Sequence, residues 1–173
     1  DAPIVFVGYG IHAPEYNWDD YAGVDVKGKI ALVIVSEPPS DDEKFFKGKA
    51  LTYYGRWTYK YEEASRHGAV GVLIIHRSDL ASYGWQVVRN SQAIEKSYLE
   101  GDLTNTLRVA AWIQHDVAQR LFTAAGLGDL GDRRRDEARE VHRNGHLERR
   151  VPVEVRHHHR RVGARSWTRR WAL

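Results

Sequence analysis

At 173 residues, 42% hydrophobic content and a formal net charge of +3, the chain has the size of one domain with a real core. It has no cysteine, which excludes disulfides, thiolate zinc sites and cysteine nucleophiles. No apolar run approaches the roughly 20 residues of a membrane helix, and "DAPIVFVGYG" lacks the basic start of a signal peptide, so a soluble chain is expected.

The first run, "IVFVGYG" (Ile4 to Gly10), is β-branched, apolar and punctuated by glycine, as a buried strand is. Starting on such a run with no methionine anywhere, the sequence is expected to be a piece of a longer protein. "HAPEYNWDDYAGVDVKG" follows as loop chemistry: Pro14 fixes φ, Asn17 and Asp19 favour turns, and Gly23 and Gly28 allow tight returns. "KIALVIVS" (Lys29 to Ser36) is a second buried strand, stopped by Pro38 and Pro39, after which "SDDEKFFKGK" is a polar excursion.

In "YYGRWTYKYEEASRHGAVGVLIIH", Tyr54, Trp57, Tyr61 and Ala64 recur at spacings of three and four, which predicts an amphipathic helix with those residues against the core. Thr52 is its predicted N-cap, Glu62 and Arg66 a pair at i,i+4, and Gly68 its left-handed end. "AVGVLIIH" is then a strand too apolar for an exposed face. Farther on, "RVAAWIQ" reads as a strand and "HDVAQRLFTAAGL" as a helix burying Val117, Leu121 and Ala124 and ending at Gly126. The fold class is α/β.

Several ordered blocks carry a family resemblance: "GYG", "DDYAGVDVKGKI", "YYGRWTYKYEEA" with "GAVGVLI" behind it, "YGWQVV", and "AQRLFTAAGL". Together, from Ile4 to Leu127, they resemble the protease-associated domain inserted in di-zinc aminopeptidases, the broad family that includes glutamate carboxypeptidase and the transferrin receptor ectodomain. The resemblance implies a compact, partly closed mixed β-sheet flanked by helices over residues 1–127. It also implies a non-catalytic module beside the active site of a parent peptidase, an extracytoplasmic location, and zinc held by the parent rather than by this chain.

The residues themselves offer no di-zinc constellation. The family's His-x-Asp and paired-glutamate blocks belong to the flanking catalytic domain, and the nearest imitators have plain readings. Asp19 and Asp20 lie in a turn, Glu62 and Glu63 on the exposed side of the aromatic helix, and His115 with Asp116 at a helix start where an acid suits the dipole. No serine sits in a G-x-S-x-G elbow, and the glycines of "VGYG" are not followed by the third glycine of a dinucleotide fingerprint. No catalytic or metal-binding residue emerges, which leaves enzymatic activity of this chain open.

The candidate functional residues are therefore those of an interface or substrate rim. Arg56, Tyr59 and Lys60 are expected to face away from the buried stripe, where tyrosine and arginine on a rigid element suit protein contact, and Trp85 in "YGWQ" is a second candidate of that kind. The expected partner is a peptidase catalytic domain or a peptide substrate.

Basicity is confined to the end. Residues 1–126 carry 13 Lys+Arg against 16 Asp+Glu, whereas residues 127–173 carry 13 against 7, every one of the 13 an arginine. Residues 128–173 show no sustained apolar period and are expected not to pack. Clustered arginine can neutralise phosphate, but no helix-turn-helix, RNA-binding or zinc-finger signature accompanies it, so nucleic acid is not the expected partner. His157 to His159 lack evident fixed partners for a structural metal site. Arginine without lysine is what GC-rich codons yield out of frame, so a frameshifted end is one expectation. The other is a free-standing binding module whose basic tail contacts an acidic partner.

Overall fold

The computed structural model describes residues 2–92 and 107–131, together with the backbone of Pro152–Val153. Its sheet is mixed: four parallel strands, β1 (Ile4–Phe6), β4 (Ile30–Ile34), β5 (Gly71–His76) and β6 (Val109–Gln114), are joined by β7 (Pro152–Val153), antiparallel to β1. The order is β6-β5-β4-β1-β7, and a small antiparallel pair, β2 (His12–Ala13) and β3 (Trp18–Asp19), stands apart. The helices are α1 (Trp57–Arg66), α2 (Ser78–Ala81), α3 (Trp85–Gln92) and α4 (His115–Ala124).

Each parallel strand is an apolar run covered on both faces, as parallel sheets require. Ala31, Val33, Val72, Ile74, Ala110 and Trp112 form one core with Ala64 of α1 and Val88 of α3. Leu32, Ile34, Ile75 and Ile113 form the other with Phe46, Tyr59 and, from α4, Ala118 and Phe122. Burying each such large side chain contributes about 1.5–3 kcal/mol. On α4 the deepest residues are Ala118 and Phe122, while the expected Val117 and Leu121 are only partly buried beside them and the expected Ala124 is exposed.

β1 stops short of the expected Gly10 because the chain turns there. Gly8 has φ +49° and Gly10 φ +62°. A Cβ on Gly8 would lie 2.7 Å from Asp20 Oδ1, and one on Gly10 2.7 Å from Val33 Cγ1, so both positions need close approach as well as a left-handed backbone. The ladder continues into the turn, with Ile34 N–H donating to the Gly8 carbonyl at 2.8 Å.

Both predicted glycine helix ends close in the same way. Ala69 N–H reaches back to the Ala64 carbonyl and Gly68 N–H to Ser65; Leu127 N–H reaches Phe122 and Gly126 N–H reaches Thr123. Gly68 and Gly126 have φ +80° and +70°, the Schellman geometry that satisfies the last carbonyls of a helix.

The opening of α1 differs from the sequence expectation. Tyr53–Gly55 is a 3-10 turn, capped by Thr52 Oγ1 accepting Tyr54 N–H at 3.2 Å, and Arg56 is extended before the α-helix begins at Trp57. Tyr54 is therefore not on the same helix as Trp57 and Tyr61, and the stripe that joined them does not exist. The face turned inward is Tyr59, Lys60, Glu63 and Ala64, which is also spaced by three and four. Tyr59 is 3% and Lys60 0% exposed, whereas Trp57 is 37% exposed. The expectation that Tyr59 and Lys60 face outward is thus corrected, as is that of an exposed Glu63.

The packed chain also runs past Leu127. Leu130 is fully buried, and its N–H donates to Gln119 Oε1 at 3.0 Å. Of the expected irregular end, Pro152–Val153 pairs with Val5 and Ile4. Residues 132–151 and 154–173, His157 to His159 included, lie outside the described residues.

Candidate functional site

A cleft of about 560 Å³ opens at the carboxyl ends of β5 and β6. Crevices at the carboxyl ends of parallel strands are where open α/β sheets take ligands. His76 and Gln114, the last residues of the two strands, are register partners at its base. Arg77, Ser78 and Asp79 enter from the start of α2, Trp85 from the start of α3, His115 and Asp116 from the start of α4, and Asp129 and Gly131 from the segment after α4. Placement follows from chain economy: α4 begins at the residue after β6, and α2 two residues after β5.

His76 is 4% exposed, with its ring 5.5–6.1 Å from those of Tyr83, Trp85 and Trp112. Nε2 lies 3.3 Å from Ser78 Oγ, and Nδ1 has no hydrogen-bond partner of good geometry. Burial pushes its pKa below the ordinary histidine value, an effect the Tyr83 backbone offsets only in part. Arg77 Nε donates to Asp79 Oδ1 at 2.9 Å and its second nitrogen to Oδ2, a fork that commits this guanidinium. Asp116 leans toward Arg120 at 3.5 Å across one turn of α4, and Asp129 accepts the Gly131 N–H.

A second exposed feature lies before and at the start of α1. Leu51, Tyr53 and Trp57 are the large apolar residues left in solvent there, with exposed Arg56 among them. Trp57 rests against Tyr61, ring centroids 5.8 Å apart. Tyr53 sits 5.2 Å from the Tyr59 ring and donates its hydroxyl proton to Glu62. Of the four expected interface residues, Arg56 falls on this ridge and Trp85 on the cleft, while Tyr59 and Lys60 belong to the interior.

The interior they enter is charged. Asp20 is tucked under Gly8 and accepts Ile11 N–H at 3.0 Å; burial raises its pKa to about 6 against the opposing influence of Trp18, Ile11, Lys60 and Tyr9. Burial lowers Lys60 to about 7, with Asp20 and Glu37 favouring its charge, and its Nζ has no hydrogen-bond partner. Glu37, also buried, accepts Thr52 N–H at 2.9 Å and the Thr52 hydroxyl. Sequence reading missed this group because Asp20 falls in a loop-like stretch and Lys60 in a helix whose face it misassigned.

Other acidic pairs have structural partners. Asp19 pairs with His12 Nδ1 at 3.1 Å, Glu63 is bound by Arg66 and by His67 at 3.1 Å, and Asp116 lies in the first turn of α4 as expected. Among the described residues, no three His, Cys, Asp or Glu side chains come together to hold a metal ion. Nor is any helix among them long and apolar enough to cross a membrane.

The cleft was legible in one respect: "GVLIIH" and "VAAWIQ" each end an apolar run on a polar residue and lead directly into an acid-bearing helix start. A family model described as PA domain matches residues 1–105. The match takes in β1 through α3, while β6 and α4, which complete the cleft, lie beyond it. No curated protein and no solved structure matches the chain.

Proposed function

The chain belongs to the PA domain family, and on that premise we propose that it is the non-catalytic module of a zinc-dependent aminopeptidase, shaping substrate access or protein contacts beside the parent's active site. The observation that carries this reading is the exposed ridge of Leu51, Tyr53, Arg56 and Trp57. Aromatic side chains with an arginine, set on a turn and on the start of a helix that packs against β5, are the composition of an interface centre rather than of ordinary surface. The parent class rests on the sequence blocks from Ile4 to Leu127 that resemble di-zinc aminopeptidases.

The gene's neighbourhood tests it. In-frame His-x-Asp and paired-glutamate blocks encoded around residues 1–173 are expected, with amino-acid release from peptide anilides by the longer chain and none by residues 1–173 alone. A gene with start and stop codons bracketing this chain and no peptidase blocks would overturn the parentage. That outcome would favour the second reading, a free-standing binding module, for which the arginine excess of residues 127–173 is the specific support.

A further inference from the structure

Beyond a docking ridge, we infer that the cleft at the carboxyl ends of β5 and β6 takes a cationic side chain, arginine or lysine, presented by an extended peptide. This rests on reading the chain as a peptide-contacting module, but on different residues from the ridge. The sign of charge is decided by what is already committed. Among the described residues, Arg77 is the one lysine or arginine in the lining, and it is forked on Asp79, which leaves Asp116 and Asp129 lining the space without a buried counter-ion there. The positive end of α4, otherwise an anion site, already has Asp116 in its first turn, so an anionic ligand finds that place taken.

The walls agree. Trp85 lines the cleft, and indole is the best aromatic partner for a guanidinium or ammonium. His76, buried at the base with Nε2 3.3 Å from Ser78 Oγ, is held toward its neutral form and so does not repel a cation. A volume of about 560 Å³ exceeds one side chain and admits the flanking backbone of a peptide.

The test uses the full chain and three end-blocked pentapeptides, alanine throughout except for a central arginine, citrulline or glutamate. Binding is followed by NMR at the Trp85 indole and His76 imidazole. Arginines of the chain itself repel the arginine peptide and attract the glutamate peptide, so they oppose the expected order, and they cancel only when wild type is compared with the Asp116→Asn/Asp129→Asn variant. The arginine peptide is expected to shift both signals and to bind about tenfold more tightly than its citrulline isostere. That advantage should fall to within about twofold in Asp116→Asn/Asp129→Asn, both exposed positions where folding is not at risk, and in about 0.5 M salt. Equal binding of arginine and citrulline, a preference for glutamate, or no shift at Trp85 at millimolar peptide would overturn the inference. Shifts at Tyr53 and Trp57 instead would overturn the cleft while leaving the docking ridge standing.

Discussion

The Tyr59 hydroxyl bonds the His12 backbone in both directions, accepting its N–H and donating to its carbonyl, each at 3.1 Å. These residues are 47 positions apart, so the link ties α1 to the β2–β3 pair, with the ring packed 5.2 and 5.1 Å from Tyr53 and Tyr54. Tyr59→Phe keeps the packing and leaves the His12 groups without this partner, which should cost about 1–3 kcal/mol. Tyr59→Ala should cost more, about 3–5 kcal/mol. Urea melts of both variants check the order, and an unaffected Tyr59→Phe would show that water replaces the bond freely.

Why α1 was rotated in the sequence reading is visible in its composition. Aromatic residues occur on every side of "YYGRWTYKYEEA", so spacing by three and four could be satisfied by Tyr54, Trp57 and Tyr61 or by Tyr59, Lys60, Glu63 and Ala64. Hydropathy preferred the first because the second places a lysine and a glutamate inward. What reversed the choice is tertiary: Asp20 and Glu37, 40 and 23 positions upstream of Lys60, supply charge for a buried amine, and Arg56 is extended where the helix was expected to continue. The strands, by contrast, were legible because Ile30–Ile34 and Gly71–His76 are apolar on both faces and can only be interior. The glycine stops at Gly68 and Gly126 were legible because a left-handed cap is a local requirement.

The rotation makes opposite demands on Trp57. Were it a core residue, its loss would cost about 3–5 kcal/mol. At 37% exposure, Trp57→Ala should cost about 1 kcal/mol or less, and Arg56→Ala less than about 0.5 kcal/mol. Denaturant melts decide, and a cost above about 3 kcal/mol for Trp57→Ala would return that residue to the core.

Two left-handed glycines separate backbone strain from crowding. Gly23 has φ +70° and nothing within 4 Å of the place a Cβ would occupy, so Gly23→Ala should cost about 1–2 kcal/mol, the strain alone. Gly8 has φ +49° and Asp20 Oδ1 at 2.7 Å, so Gly8→Ala adds displacement of a carboxylate that also holds Ile11 N–H. Gly8→Ala should therefore be the more damaging by about 1 kcal/mol or more, the scale of an unmade hydrogen bond. Equal costs by thermal or urea melts would show that Asp20 moves aside without penalty.

The Asp20 and Lys60 groups should give stability a trough near neutral pH. Asp20, raised to about 6 from 3.8, keeps its proton in the folded chain where the unfolded chain has lost it. Its contribution is full below the unfolded value and lost as pH rises through about 6. Lys60, lowered to about 7 from 10.5, has shed a proton in the folded chain that the unfolded chain still holds. Raising pH between those two values therefore stabilises the fold, by at most about 1.4 kcal/mol per pH unit for one proton. Lys60→Met fills similar space without a titrating group, so the rise above pH 7 should vanish from its urea-melt profile while titrations elsewhere persist in both proteins. Subtracting the variant's profile from the wild type's isolates the lysine, and parallel profiles above pH 7 would mean that Lys60 stays charged in the folded interior, with Asp20 and Glu37 outweighing its burial.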